Sequence, residues 1–159
     1  MDLSSAAALA GFLVAAFVAA SSGAIFKPDA WYQALDKPSW TPKPWVFPVV
    51  WTPLYLLIAV SGWLVWREAG LFALAFVPYA VQLVLNAAWS AFFFGLRRPD
   101  LAFADLVAMW LAIAATIVAF APISAVAAWL LAPYLLWVTI AGVLNVSVWR
   151  LNRDRFARA

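Results

Sequence analysis

Four long stretches of this chain carry no charged side chain: Leu3 to Phe26, Trp45 to Trp66, Leu71 to Leu96, and Leu106 to Trp149. A helix needs about 20 predominantly apolar residues to cross the hydrocarbon core of a bilayer. The first three stretches fit one crossing each. The fourth is too long for one crossing at about 1.5 Å of rise per residue, and Pro122 with Ser124 divides it. The pattern therefore predicts spans over residues 3–26, 45–66, 71–96, 101–121 and 125–149. The fold class is an all-α membrane protein, a five-transmembrane-helix bundle forming a single domain over residues 1–159.

Inside the spans, the apolar background is broken by aromatic and polar residues at helical spacing. Phe47, Trp51 and Tyr55 stand four apart on one face of the second span. Pro48 and Pro53 should disturb the hydrogen-bond ladder there and free carbonyls that need partners. The fifth span repeats the theme with Pro133, Tyr134 and Trp137, then Ala141 and Asn145, with Ala141 and Gly142 leaving room beside Trp137. On the third span Gln82, Asn86 and Ser90 share a face flanked by Trp89 and Phe93. Thr116, Thr139, Asn145 and Ser147 are the other polar residues well inside the spans. Such residues either hydrogen-bond between helices, at about 0.6 kcal/mol each on average, or form a polar wall in an aromatic cavity; both readings stand. Small residues recur every four positions at Ala7, Gly11, Ala15, Ala19 and Gly23, and again at Ala87, Ala91 and Gly95. They let backbones approach closely. The first stripe is expected to pack within the chain, and the second is a candidate dimer face.

The one long loop, residues 27–44, is not a flexible linker. It holds Pro28, Pro38 and Pro42 with Trp31, Tyr32 and Trp40 between them, where a flexible linker would be rich in Gly and Ser. Proline restricts the chain and large aromatics offer area to dock. Asp29 is placed to cap a short helix through about Leu35. The loop reads as an ordered lid over the mouth of the bundle; the competing reading leaves its Trp side chains in the lipid interface.

Composition agrees with this pattern and narrows the chemistry. The chain is 68% hydrophobic and 11% charged, where soluble domains average about 45–50% and about 25%, so lipid is its main solvent. Cys and His are both absent. That removes disulfides, thiolate metal sites, and the commonest metal ligand and general base; no metal site is expected. Of 11 Trp residues, an interfacial belt explains some. Asp105 is expected near the start of the fourth helix, where a carboxylate is favoured and can meet Arg97 or Arg98. The small residues Ala20, Ser21, Ser22 and Gly23 look like a signal-peptide cleavage region. Asp2 is the only early charge, however, and a positive n-region is missing, so the first segment reads as a retained span. Five crossings put Arg67 on one side and Lys27, Lys37, Lys43, Arg97, Arg98, Arg150, Arg153, Arg155 and Arg158 on the other. Nine basic residues against one make that second side cytoplasmic and the N-terminus external. No nucleic-acid partner is expected.

The stretch from Lys37 to Tyr55, KPSWTPKPWVFPVVWTPLY, resembles the signature of the TspO/MBR family, the tryptophan-rich sensory proteins, bacterial relatives of the mitochondrial translocator protein or peripheral benzodiazepine receptor. Asn86 with Trp89 and Phe93, the run from Pro133 to Trp137, and Asn145 match in order and spacing. The resemblance covers nearly the whole chain. It implies a bacterial membrane, five helices, usually a homodimer, and a cavity opening toward the loop between the first two spans. It also implies binding of porphyrins such as protoporphyrin IX, of benzodiazepine-type ligands and, in some members, of cholesterol. By matching position, the ligand site would comprise Tyr32, Trp40, Pro42, Phe47, Trp51, Asn86, Phe93, Trp137 and Ala141. Tyr55, Trp89 and Asn145 join it as neighbours on the same helix faces. In the family, the Trp pair matching Trp51 and Trp137 is linked to light-dependent porphyrin breakdown. The sterol consensus wants an aromatic Tyr between Leu/Val and Lys/Arg. The stretch from Leu144 to Arg150 has Val146 where related sequences often place an aromatic, which weighs against cholesterol as a partner.

The expected function is tetrapyrrole binding in transport or sensing, with cytoplasmic Lys and Arg meeting propionates and with no cofactor required. Without His or Cys, two familiar axial haem ligands are missing, which favours metal-free porphyrin over a stable b-type haem. The alternative is an enzyme that degrades porphyrin in light through Trp51 and Trp137. A scaffold subunit without saturable ligand binding is a third class.

Overall fold

The computed structural model describes residues 2–71 and 73–156. Arg158, counted among the nine basic residues, lies outside them. Among the described residues there is no strand, and five helices are long and apolar enough to cross a membrane.

Helix α1 spans Leu3–Ile25, with Asp2 as its cap accepting the Ser5 amide at 2.8 Å. Helix α2 is one turn, Ala30–Gln33, inside the long loop. Helix α3, Val46–Ala69, ends at Gly70, whose φ of 73° is open to glycine without a Cβ penalty. Pro48 falls in the first turn of α3, where backbone N–H groups have no intrahelical partner, so the expected disturbance is confined to Pro53. Helix α4, Phe76–Ser90, begins five residues later than the charge-free run, because Gly70 and the turn behind it use the intervening chain. It continues as a π-helical turn over Ala91–Gly95. Helix α5, Pro99–Phe120, starts with proline in its first turn, where a missing N–H costs nothing. A turn at Pro122 leads to Ser124, which caps α6, Ala125–Leu130. Helix α7, Ala132–Leu151, completes the fifth span. Pro133 has no N–H to give to the previous turn, and the span breaks at Leu131 for that reason. A last turn, α8, covers Arg153–Phe156.

The spans close into a ring. Helix α1 packs between α3 and α4, α5 between α4 and α7, and α3 closes against α6. Close approach is built in where it is needed: a Cβ on Gly62 would lie 2.7 Å from Tyr79 Oη and 2.8 Å from the Phe12 ring, joining α3 to α4 and α1. The core runs through Ile58, Val65, Met109, Ile113, Phe120 and Tyr134. A second, smaller cluster around Leu35, Phe93 and Val148 sits at the loop end. Outward faces carry Phe17, Val118, Trp129 and Leu136, as lipid contact requires.

The small-residue stripes are used within the chain only in part. On α1 the packing falls to Ala16 and Ala19; Ala7, Gly11 and Ala15 are exposed, and a Cβ on Gly11 would meet nothing within 4 Å. Only the C-terminal part of the α1 stripe, Ala19 with Gly23 facing Ser90, therefore serves the intramolecular seam. On α4 it is Gly95 that is used within the chain, with the Phe26 ring 2.9 Å from where its Cβ would be.

Candidate functional site

Helix α3 packs closely on α6 but only touches α7. The two helices part toward the loop end, and aromatic rings bridge the gap. Phe47 meets Trp137 edge to face at 6.1 Å, Trp51 meets Tyr134 at 6.0 Å, and Trp51 stacks on Tyr55 at 5.3 Å. The i, i+4 spacing of Phe47, Trp51 and Tyr55 puts all three on the α7-facing side of α3. Ala141, half-buried one turn below Trp137, keeps bulk away from that ring. Trp137 is itself half-buried, yet its indole N–H is buried with no acceptor among the described residues.

Asn86 sits behind these rings and joins four helices. It accepts from Tyr55 Oη at 2.6 Å and donates from Nδ2 to Tyr134 Oη at 2.9 Å; Tyr134 in turn donates to Met109 Sδ at 3.4 Å. The interhelical reading thus holds for Asn86. Trp89 donates to Asn145 Oδ1 at 3.2 Å while Asn145 donates to the Pro99 carbonyl at 2.8 Å. Gln82, one turn beyond Asn86, is fully buried and has no hydrogen-bond partner among the described residues.

At the loop end, the π-helical turn carries Phe93 and Phe94, whose rings meet edge to face at 4.9 Å. Phe93 stacks on Trp89 at 5.2 Å and meets Trp31 and Tyr32 at 6.0 Å each; Phe94 meets Tyr32 at 5.4 Å. The loop is ordered here, as its prolines and aromatics predict. Asp29 caps α2 by accepting the Tyr32 amide at 3.2 Å and pairs with Arg97 at 2.9 Å. The cap, with Arg97 beside it, holds the Asp29 carboxyl below the usual carboxylate range. Helix α2 stops at Gln33, short of Leu35. Lys37 lies over the Tyr32 ring at 4.7 Å.

The structure thus gathers Phe47, Trp51, Tyr55, Asn86, Trp137 and Ala141 between α3 and α7, and Tyr32, Trp89, Phe93 and Asn145 beneath the loop. Trp40 stands 48% exposed and Pro42 half-buried. Trp110, Thr139 and Gly142 instead line a groove of about 340 Å³ on the outer side of α5 and α7.

Asp105 is a correction. It meets neither Arg97 nor Arg98, which pair with Asp29 and Asp100. It lies nearly two turns into α5, 6% exposed, with both carboxyl oxygens unpartnered among the described residues. It shares a face with Met109, one turn on, so it points into the bundle rather than toward the basic turn. Tyr134 was legible as part of the fifth-span stripe but not as a hub, because nothing local says that its hydroxyl reaches α4. Ser61, which donates to the Ala127 carbonyl at 2.8 Å, and Asn152 carried no sequence signal of their roles.

The TspO/MBR family model matches residues 6–150. The chain is 44% identical over 146 residues to Protein CrtK of Rhodobacter capsulatus, covering 89% of this chain and 90% of that one. It is 45% identical over 145 residues to the tryptophan-rich sensory protein of Cereibacter sphaeroides, covering 91% and 90%. With the translocator protein of Homo sapiens it shares 46% identity over 126 residues, covering 77% and 75%. A match that runs through all five spans and the docked loop has one consequence: this chain belongs to the TspO/MBR family.

Proposed function

We propose that the protein binds a flat tetrapyrrole, with protoporphyrin IX as the test ligand, between α3 and α7 beneath the 27–44 loop, and serves in transport or sensing. The observation that carries this reading is the sparse contact between α3 and α7, across which Phe47 meets Trp137 and Trp51 meets Tyr134. Rings that meet edge to face separate more readily around a flat π-system than an interlocked aliphatic seam does, and they offer it stacking faces. The unsatisfied Trp137 N–H adds a donor for a polar edge of the ligand. The names of the relatives, tryptophan-rich sensory protein and translocator protein, point to sensing and translocation. The proposed assembly is a homodimer in the membrane.

A second reading is light-dependent porphyrin breakdown with Trp51 and Trp137 as electron partners. Its support is that each indole meets a ring of the facing helix, Trp51 against Tyr134 and Trp137 against Phe47. Titration of protoporphyrin IX into the purified protein, followed by Trp quenching in darkness and in light, separates the readings. Saturable quenching in the dark is expected; its absence overturns the binding role. Loss of porphyrin absorbance only under illumination, and only with protein present, moves the function to the second reading.

A further inference from the structure

We infer that Asn152, at the end of α7, is the positioning residue that latches the 27–44 loop shut over the gap between α3 and α7. The inference rests on the ligand chamber proposed above. Asn152 is only 2% exposed although it follows Arg150 and Leu151 at the membrane surface. Its Oδ1 accepts from the Asp36 amide at 3.0 Å, and its Nδ2 donates to the Asp36 carbonyl at 2.8 Å and to the Val148 carbonyl at 2.8 Å. One side chain thus holds both backbone groups of a residue 116 positions away, as a neighbouring strand would. The grip is indifferent to the Asp36 side chain but specific to Asn: Asp has no donor for the two carbonyls, and Leu has neither partner.

The residues around Asn152 enlarge the same contact. Arg155 donates to the Ala34 carbonyl and reaches the Asp36 carboxylate at 3.9 Å. Phe156 meets Trp31 at 6.2 Å, and Leu35 is buried between these attachments. The stretch from Asn152 to Phe156 is spread over the half of the loop from Asp29 to Asp36.

The other half of the loop is held differently. The Thr41 amide and hydroxyl both bond to the nearby Pro38 carbonyl, while Trp40 and Trp45 are 48% and 62% exposed. The cost of lifting the loop is therefore concentrated at its first half, in the hydrogen bonds to Asn152 and the rings on Phe93 and Phe156. A segment opens locally at a free energy set by the contacts it must break, and lids of this kind set the rates of entry and release. Asn152 also rides on the helix that carries Trp137, Ala141 and Asn145, so latch and site move as one rigid element.

The test uses the full chain with Asn152→Leu and Asn152→Asp, hydrogen exchange without ligand, and stopped-flow mixing with protoporphyrin IX. The latch predicts at least tenfold faster exchange at Leu35 and Asp36, and entry and release rates that rise together by about tenfold with Kd changed less than threefold. Damage to the site itself would raise release alone and weaken Kd, and that outcome overturns the latch. Unchanged exchange, or faster exchange with unchanged rates, overturns it too. A chain without cysteine of its own also permits the reverse experiment. Asp36→Cys with Asn152→Cys, oxidised, should slow both rates, and reduction should restore them in the same sample; equal rates in both redox states reject the latch. If the unaltered protein takes up no protoporphyrin IX, the tetrapyrrole reading fails, and the exchange arm alone decides whether Asn152 holds the loop.

Discussion

Tyr55 and Tyr134, on helices that part from one another, are held in register by one amide: Asn86 accepts from the first hydroxyl at 2.6 Å and donates to the second at 2.9 Å. Asn86→Leu strands the Tyr55 hydroxyl and leaves the buried Tyr134 hydroxyl only its weak bond to Met109 Sδ. Interhelical hydrogen bonds in membranes are worth about 0.6 kcal/mol on average, and stranding a buried group costs about 1–3 kcal/mol. The expected loss is about 2 kcal/mol in a reversible unfolding assay, with Tyr55→Phe costing less than half of that.

The rings in the gap are expected to act as ligand anchors. Trp51→Phe and Trp137→Phe keep a hydrophobic ring and the fold. Truncating a binding anchor typically costs about 2 kcal/mol, roughly thirtyfold in affinity at tenfold per 1.4 kcal/mol. Both variants should weaken protoporphyrin IX binding on that scale and suppress any photochemical loss. Trp63→Phe is the control: its indole donates to the Ser5 carbonyl at 3.1 Å at the opposite end of the bundle. Three folded variants that bind alike would return these tryptophans to packing roles.

Two glycines give opposite stability outcomes. Gly62→Ala places a methyl 2.7 Å from Tyr79 Oη and 2.8 Å from Phe12, so these buried or packed rings, or the helices that carry them, must shift. Overpacking of that kind costs about 1–3 kcal/mol. Gly11→Ala meets nothing within 4 Å and gains helix propensity of up to about 1 kcal/mol. Thermal unfolding should order the three proteins Gly11→Ala, unaltered, Gly62→Ala.

Loop docking should weaken in acid. The Tyr32 amide and Arg97 lower the Asp29 carboxyl below its ordinary value. A depressed carboxylate supports the folded arrangement fully above its unfolded pKa, and that support is lost as pH falls through the folded value. The window is therefore below about pH 4. Hydrogen exchange across residues 29–36, corrected for intrinsic rates, should rise there. Asp29→Asn keeps a competent cap but loses the charge, and should abolish the pH dependence.

Orientation is testable apart from any ligand. Nine Lys and Arg residues against one predict a cytoplasmic C-terminus and an external N-terminus. Reporter fusions after Ala159 should score as cytoplasmic, and periplasmic activity would reverse the assignment.

The five spans, the break at Pro122, the Asp29 cap and the shared face of Phe47, Trp51 and Tyr55 were all legible in the sequence. The reason is that each is local. A bilayer demands an uninterrupted apolar length, caps act within a turn, and helical spacing alone puts i and i+4 on one face. Tertiary structure alone decided which partner each face meets. Arg97 and Arg98 lay within sequence reach of Asp105, yet they pair with Asp29 and Asp100 because Asp105 turns inward along the Met109 face. The small-residue stripe of α1 was periodic, but the ring of helices turned Ala7, Gly11 and Ala15 outward and kept Ala19 of it in the seam, beside Ala16. Asn152 carried no signal in the sequence, and its role exists only because the loop comes back across 116 positions to meet it. Period and length are properties of one helix in one solvent, whereas pairing depends on how each helix is rotated about its axis against the others, and no stretch of sequence contains that angle.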